Sequence, residues 1–245
     1  LATGQHQLFI RGLSNGVWGP VRSVLVNVDN TGPVTMAPVL KSTTLNSTAL
    51  AFSTTVDDTT TGASNVVAAR AWVDGTATPP ATGLITMSTN GPRIVASASG
   101  VVPAATIAAL AEGTHTLWLQ GQDSLGQWGS PVSAAFKIDL TAPVTQSIAI
   151  TPSATNGTGT NPAVPGTIGI TAQVMDPVSN GVSSPISVVE AYLGNVLPSG
   201  SIGGVQMSLA GPGSAPGTYK YMANVPLSWI AGYKTSAVVP VYVVA

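Results

Sequence analysis

Cysteine is missing altogether from the 245 residues. Disulfides therefore cannot hold this chain, and thiolate catalysis and Cys-ligated metals are excluded. Charge is nearly as scarce, with 8 basic and 9 acidic side chains making up 7% of the residues. Phosphate contacts need clustered Lys and Arg, so nucleic acid is excluded as a partner. The staples of surface helices (Glu, Lys, Arg and Leu) are thin, and long apolar runs are absent. Val101–Ala111 and Ala237–Ala245 reach about half of a ~20-residue membrane span, and each contains a proline. Membrane insertion is not expected. Nothing at the start reads as a signal peptide and Leu1 is not an initiator Met, which predicts a mature or excerpted piece.

What is present is a core and many turns. Hydrophobic residues make up 44% of the chain, too many for a disordered one of low net charge. Thr, Ser, Asn, Gly and Pro supply the polar balance and suit strands joined by tight turns. Apolar residues alternate with polar or small ones over 6–8 positions, as in Thr48–Val56 and Gly166–Val174, the pattern of half-buried antiparallel strands. Thr59–Gly62 and Ser153–Asn161 read as loops, and a helical turn is expected only at Ala104–Ala111, with a loose match at Leu227–Ala231. The fold class is therefore all-β, and the length fits two to three domains of about 100 residues.

Self-similarity organises the chain. The segments Gly4–Thr35 and Gly113–Thr145 share Gly4/Gly113, His6/His115, Leu8/Leu117, Gly12/Gly121, Trp18/Trp128, Gly19/Gly129, Asp29/Asp139, Thr31/Thr141 and Pro33/Pro143. Asp29 and Asp139 stand 110 positions apart, which is one β-sandwich domain per period. Ser64–Val73 is echoed more faintly by Ser184–Leu193. The expected organisation is a partial domain at 1–33 supplying closing strands only, a complete domain at 34–143, and a divergent third at 144–245 without its last hairpin. Proline at the end of Asp-x-Thr-x-Pro cannot donate to a ladder and suits the step between domains.

The pattern G-x-H-x-L-x-x-x-G-x(3–4)-G-x-W-G, followed by a strand and D-x-T-x-P-V, resembles the bacterial and archaeal extracellular Ig-like (fibronectin-III-like) tandem repeats of surface proteins. The resemblance covers most of 1–143 and extends weakly over 144–245. It implies tandem immunoglobulin-like antiparallel β-sandwich domains of seven strands in a secreted or surface-anchored protein, and it implies no one substrate.

The chemistry-bearing residues are few. His6 and His115 are the only histidines and recur at one repeat position, which points to a structural role. No nucleophile elbow, phosphate loop, dinucleotide fingerprint or zinc-protease motif is present, and the only glutamates, Glu112 and Glu190, sit in no distinctive motif. The chain is not expected to be an enzyme, and no cofactor is implied apart from possible calcium. A calcium site would gather several carboxylates, and the candidates are Asp57, Asp58 and Asp139, with Asp29 and Asp123 also acidic at junctions and hairpins. Against it, Asp commonly caps turns through neighbouring amides. The acidic positions repeat poorly: Ser14 stands for Asp123 in the first repeat, and only Asp176 matches Asp57-Asp58 in the third. Chelation is therefore expected to leave stability nearly unchanged. Trp18 and Trp128 could stack on sugars, but their recurrence favours packing, and Trp72 and Trp118 are expected in the core. Asn46-Ser-Thr and Asn156-Gly-Thr are glycosylation-type triplets.

The reading at this stage is a non-catalytic structural, spacer or assembly element of an extracellular or cell-surface protein. Its expected partners are other copies of itself or neighbouring repeats, with head-to-tail strand complementation as a route to filaments. The alternatives are a carbohydrate-binding or adhesion module with a surface glycan as partner, and an accessory region of a larger secreted enzyme.

Overall fold

The computed structural model describes residues 1–152, 166–193, 204–226 and 240–245, and it is all-β apart from the short helix Ala104–Ala108. That helix begins at Pro103, whose carbonyl accepts the Thr106 and Ile107 amides, and it is anchored by buried Ile107. The loop expected at Ser153–Asn161, the turn at Leu227–Ala231 and the triplet at Asn156 lie outside the described residues. Among the described residues, no helix is long and apolar enough to cross a membrane. The chain forms two compact units, Leu1–Asp139 and Leu140–Ala245, so the first 33 residues belong with the unit that follows them.

In the first unit, two five-stranded sheets contribute to one core. One sheet runs in the order Ile85–Thr86, Val66–Val73, Gly113–Asp123, Val132–Ile138 and Thr44–Leu45, the last pair parallel. The other runs Ser88–Thr89, Val95–Val102, Leu50–Asp57 and Val34–Thr35, with Val39–Leu40 also on Leu50–Asp57. Alternation decides what faces inward. Leu50, Phe52 and Val56 meet Ala96, Ala98 and Val102 from one sheet, and Ala69, Ala71, Leu117, Leu119, Phe136 and Ile138 from the other. Two glycines make room for this packing. A Cβ at Gly100 would lie 2.6 Å from the Phe52 ring, and one at Gly121 would lie 2.3 Å from a Val56 methyl.

Met87 closes the core in a way the alternation did not announce. The chain pairs with the first sheet at Ile85–Thr86 and with the second at Ser88–Thr89, and Met87 sits between them, buried, its amide on the Ala69 carbonyl. The second unit repeats the step. Val205–Gln206 pairs with Glu190–Leu193, Ser208–Pro212 pairs with Thr218–Pro226, and buried Met207 bonds the Val189 carbonyl between them. Its core draws on Ile170, Ala172, Val174, Tyr221, Ala223 and Val225, again every second residue.

The first 28 residues behave differently. Gly4–Ile10 and Arg22–Val28 pair in the register of the later hairpin: His6 faces Val26 as His115 faces Phe136, and Leu8 faces Val24 as Leu117 faces Ala134. In the later hairpin neighbouring strands lie on both sides and Leu117 is fully buried; in the early one the pair stands alone and Leu8 is 51% exposed.

Trp72 corrects an expectation. It is buried, 1% exposed, but not among the core residues between the sheets. Ala71 and Val73 take that side, and Trp72 stands on the opposite face, stacked on its cross-strand partner Trp118 at 6.3 Å with its Nε1 donating to the Thr76 carbonyl at 3.0 Å. An indole N–H paired in this way tolerates burial outside an apolar core. Replacing Trp72 with Ala removes the stacked pair and should cost ~3–5 kcal/mol of stability in urea denaturation of the chain. An unchanged unfolding midpoint would mean that this outer-face pair contributes nothing.

Candidate metal centre

The segment 29–35 crosses the turn end of the 113–138 hairpin at backbone distance. A Cβ at Gly32 would lie 2.3 Å from the Trp128 carbonyl carbon, and one at Gly129 would lie 1.8 Å from the Pro33 oxygen. A little further on, the Gly121 amide donates to the Thr35 hydroxyl at 3.0 Å. Only glycine allows two backbones to meet so closely. This explains Gly129 and the Gly between Thr31 and Pro33, but not Gly19, where a Cβ would meet only the Gly12 oxygen at 3.5 Å.

That crossing brings together three carboxylates from distant parts of the chain. Asp29, Asp58 and Asp123 are all buried, and one oxygen from each lies within 4.8 Å of the others. Asp29 enters at the end of the Arg22–Val28 strand, Asp58 just after Leu50–Asp57, and Asp123 at the end of Gly113–Asp123. Each is held by local amides. Asp29 Oδ1 accepts the Thr31 amide, and Asp123 Oδ1 accepts the Leu125 and Gln127 amides at 2.9 and 2.8 Å. Asp58 accepts the Thr61 hydroxyl on Oδ1 and the Ser64 amide and hydroxyl on Oδ2 at 2.6 and 2.7 Å. The turn-capping role expected for Asp is thus met at all three.

Capping leaves a remainder. Oδ2 of Asp29 and Oδ2 of Asp123 are buried and receive no hydrogen bond. Among the described residues, no Lys, Arg or His pairs with any of the three carboxylates. Any two negative charges at the outer limit of this 4.8 Å span would repel by about 3 kcal/mol at an effective dielectric of about 20. An acceptor-only group buried without a donor adds its desolvation cost.

Of the residues singled out in the sequence for calcium, only Asp58 belongs to this group. Asp57, one position earlier, points to the other side of its strand, and its Oδ1 accepts the Thr59 amide and hydroxyl at 2.8 and 2.7 Å. Those bonds hold the Asp57 carboxyl below its ordinary value. Asp139 is buried but is not part of the trio. Asp29 and Asp123, noted only as junction and hairpin residues, complete it. In the second unit, Asp176 reproduces the Asp58 cap, its Oδ2 accepting the Ser184 amide and hydroxyl.

The other candidates resolve into packing. Arg70 places its guanidinium 3.7 Å over the Trp128 ring and donates to Gln120 Oε1, while Gln120 donates on to the Gly129 carbonyl at 2.6 Å. Arg11 covers Trp18 in the same manner at 4.1 Å. Glu190 is buried and accepts the Tyr192 hydroxyl. Asn46 is exposed, its Oδ1 turned to the Ser47 amide. No family model matches this chain, and no curated protein is similar to it.

The two histidines share one geometry: Nε2 of His6 meets the Ala2 carbonyl at 2.7 Å, and Nε2 of His115 meets the Ala111 carbonyl at 2.8 Å, four residues back in each case. His115 adds Asp74 Oδ2 on Nδ1 at 2.7 Å and packs its ring against Phe136. Burial opposes charging of this imidazole, but the bonds to Asp74 and Ala111 outweigh it, so its pKa lies above the ordinary 6.5. A folded value raised above the unfolded one gives stability that is complete below about pH 6.5 and is lost as pH rises through the folded value. Asp74 is 44% exposed, so the effect should stay under about 1 kcal/mol. Thermal melting from about pH 5.5 to 8.5 should show His115→Gln losing part of the wild-type decline, and identical slopes would remove the pair from the account.

Proposed function

We propose that the chain is a tandem array of Ig-like β-sandwich domains serving as a non-catalytic structural, spacer or assembly element of an extracellular or cell-surface protein. The observation that carries the reading is one building plan used twice. Trp72 faces Trp118 across one sheet, and Tyr192 faces Tyr242 across its counterpart. Met87 and Met207 make the same step between sheets, and Asp58 and Asp176 accept the amides of corresponding serines, Ser64 and Ser184. A unit that carries its own core can be repeated to gain length without redesign.

The assembly role rests on the hairpin of residues 4–28. Leu8, Ile10, Val24 and Val26 are exposed apolar side chains on the face whose counterparts, Leu117, Leu119 and Phe136, form the core of the first unit. Strands of a neighbouring repeat or of another copy would bury them. For the glycan alternative, Trp18 is half exposed but already under Arg11, and Phe9 and Tyr219 are also exposed aromatics. A glycan array would separate the two readings.

Single-molecule stretching tests the array directly. Residues 34–139 and 140–245 should rupture as separate cooperative events, each releasing about 35 nm of chain at about 3.5 Å per residue. One merged event, or extension without force peaks, would contradict independent load-bearing domains. Sedimentation of the full chain against a chain lacking 1–28, which keeps the Gly32–Pro33 crossing, tests assembly. Association that rises with concentration and disappears on deletion is expected, and equal monomers would exclude the hairpin as the assembly surface.

A further inference from the structure

We propose that Asp29, Asp58 and Asp123 bind one hard divalent cation, Ca2+, which pins the segment leading out of the first hairpin onto the domain that follows. The inference does not depend on the spacer reading and reverses the expectation that chelation has no effect. Three carboxylates with one oxygen each inside a 4.8 Å span offer the start of an all-oxygen donor set. Such a set selects a hard cation over zinc or copper, which favour nitrogen and sulfur. Ca2+ accepts 6–8 oxygens in irregular arrangements, whereas Mg2+ demands near-octahedral geometry at short range. Donors arriving from three separate segments, each already oriented by its own amides, suit the less demanding ion.

The independent sign of a ligand is the pair of orphaned oxygens. Asp123 is 1% exposed; its Oδ1 is fully engaged by two amides, and its Oδ2 has no donor. Asp29 Oδ2 is in the same position. Turn capping accounts for the other oxygens and leaves these two without a purpose. Close packing also surrounds the group: a Cβ on Gly62 would lie 1.9–2.2 Å from the Asp29 carboxylate, so the 57–64 loop lies directly over it. Because Asp29 follows the first hairpin and precedes the Gly32–Pro33 crossing, a cation here fixes the chain where the hairpin meets the sheets.

The test uses the full chain stripped with a chelator and then titrated calorimetrically with CaCl2, and with MgCl2 in parallel. One Ca2+ should bind per chain to this trio, raise the melting temperature, and slow amide exchange over residues 29–36, with Mg2+ at least tenfold weaker. Asp123→Asn keeps the side-chain shape and the Oδ1 acceptor while removing one charge. It should fold at least as well as the calcium-free wild type and bind Ca2+ more than tenfold more weakly. Asp57→Asn should bind as the wild type does. Absence of binding heat and of any melting shift in the wild type would overturn the site. Binding that survives in Asp123→Asn would overturn the trio as its location.

Discussion

Two backbones pass each other at Gly32–Pro33 and Trp128–Gly129 with no room for a side chain, and much of the first unit depends on that crossing. It carries the chain from the exposed hairpin into the sheet that starts at Val34, and it positions Thr35 to receive the Gly121 amide. Because the crossing is local and tight, Asp29 is delivered to one place, beside Asp58 and Asp123. Burying three carboxylates together is costly unless something positive joins them. The same contact that secures the junction therefore creates the demand for a cation.

The two faces of the central sheet divide the work. Inward lie Ala69, Ala71, Leu117 and Leu119, with Ala71 facing Leu119, Ala69 facing Gly121 and Leu117 facing Val73. Outward lies a row of stacked and bonded groups: Trp72 on Trp118, then Arg70 spanning Gln120 and Trp128. Planar guanidinium and indole surfaces suit each other, and their polar edges find carbonyl or amide partners. In the second unit Glu190 and Tyr192 occupy the places of Arg70 and Trp72, with a hydroxyl-to-carboxylate bond in place of the stack. The outer face is thus where the two units diverge, while the inward alternation is kept.

Much was legible in the linear order. Strand alternation over Leu50–Asp57 and Thr167–Met175 and the recurrence of the 113–138 hairpin at the start of the chain follow from local patterning, and the structure contains each of these strands. The structural role of the histidines could be read from their recurrence, although the carbonyl that each one meets could not. The strand switch at Met87 was not legible, because a single methionine between two-residue strands carries no periodic signal. Trp72 was legible as buried but not as facing away from the core, since an aromatic in a strand reads alike on either face.

Composition and alternation by themselves determined the all-β class and the lack of disulfide support, because these depend on residue type and short-range order. Which acidic residues meet was decided only in three dimensions. Asp57 and Asp58 are adjacent, yet Asp57, the last residue of its strand, lies half-buried beside Thr59, while Asp58, just beyond the strand, is fully buried. Asp29 and Asp123 are separated from Asp58 by whole strands and come to it through the packing of two sheets on one core and the glycine crossing. Sequence spacing measures distance along the chain, and a carboxylate cluster is set by distance through space, which only the folded sheets supply.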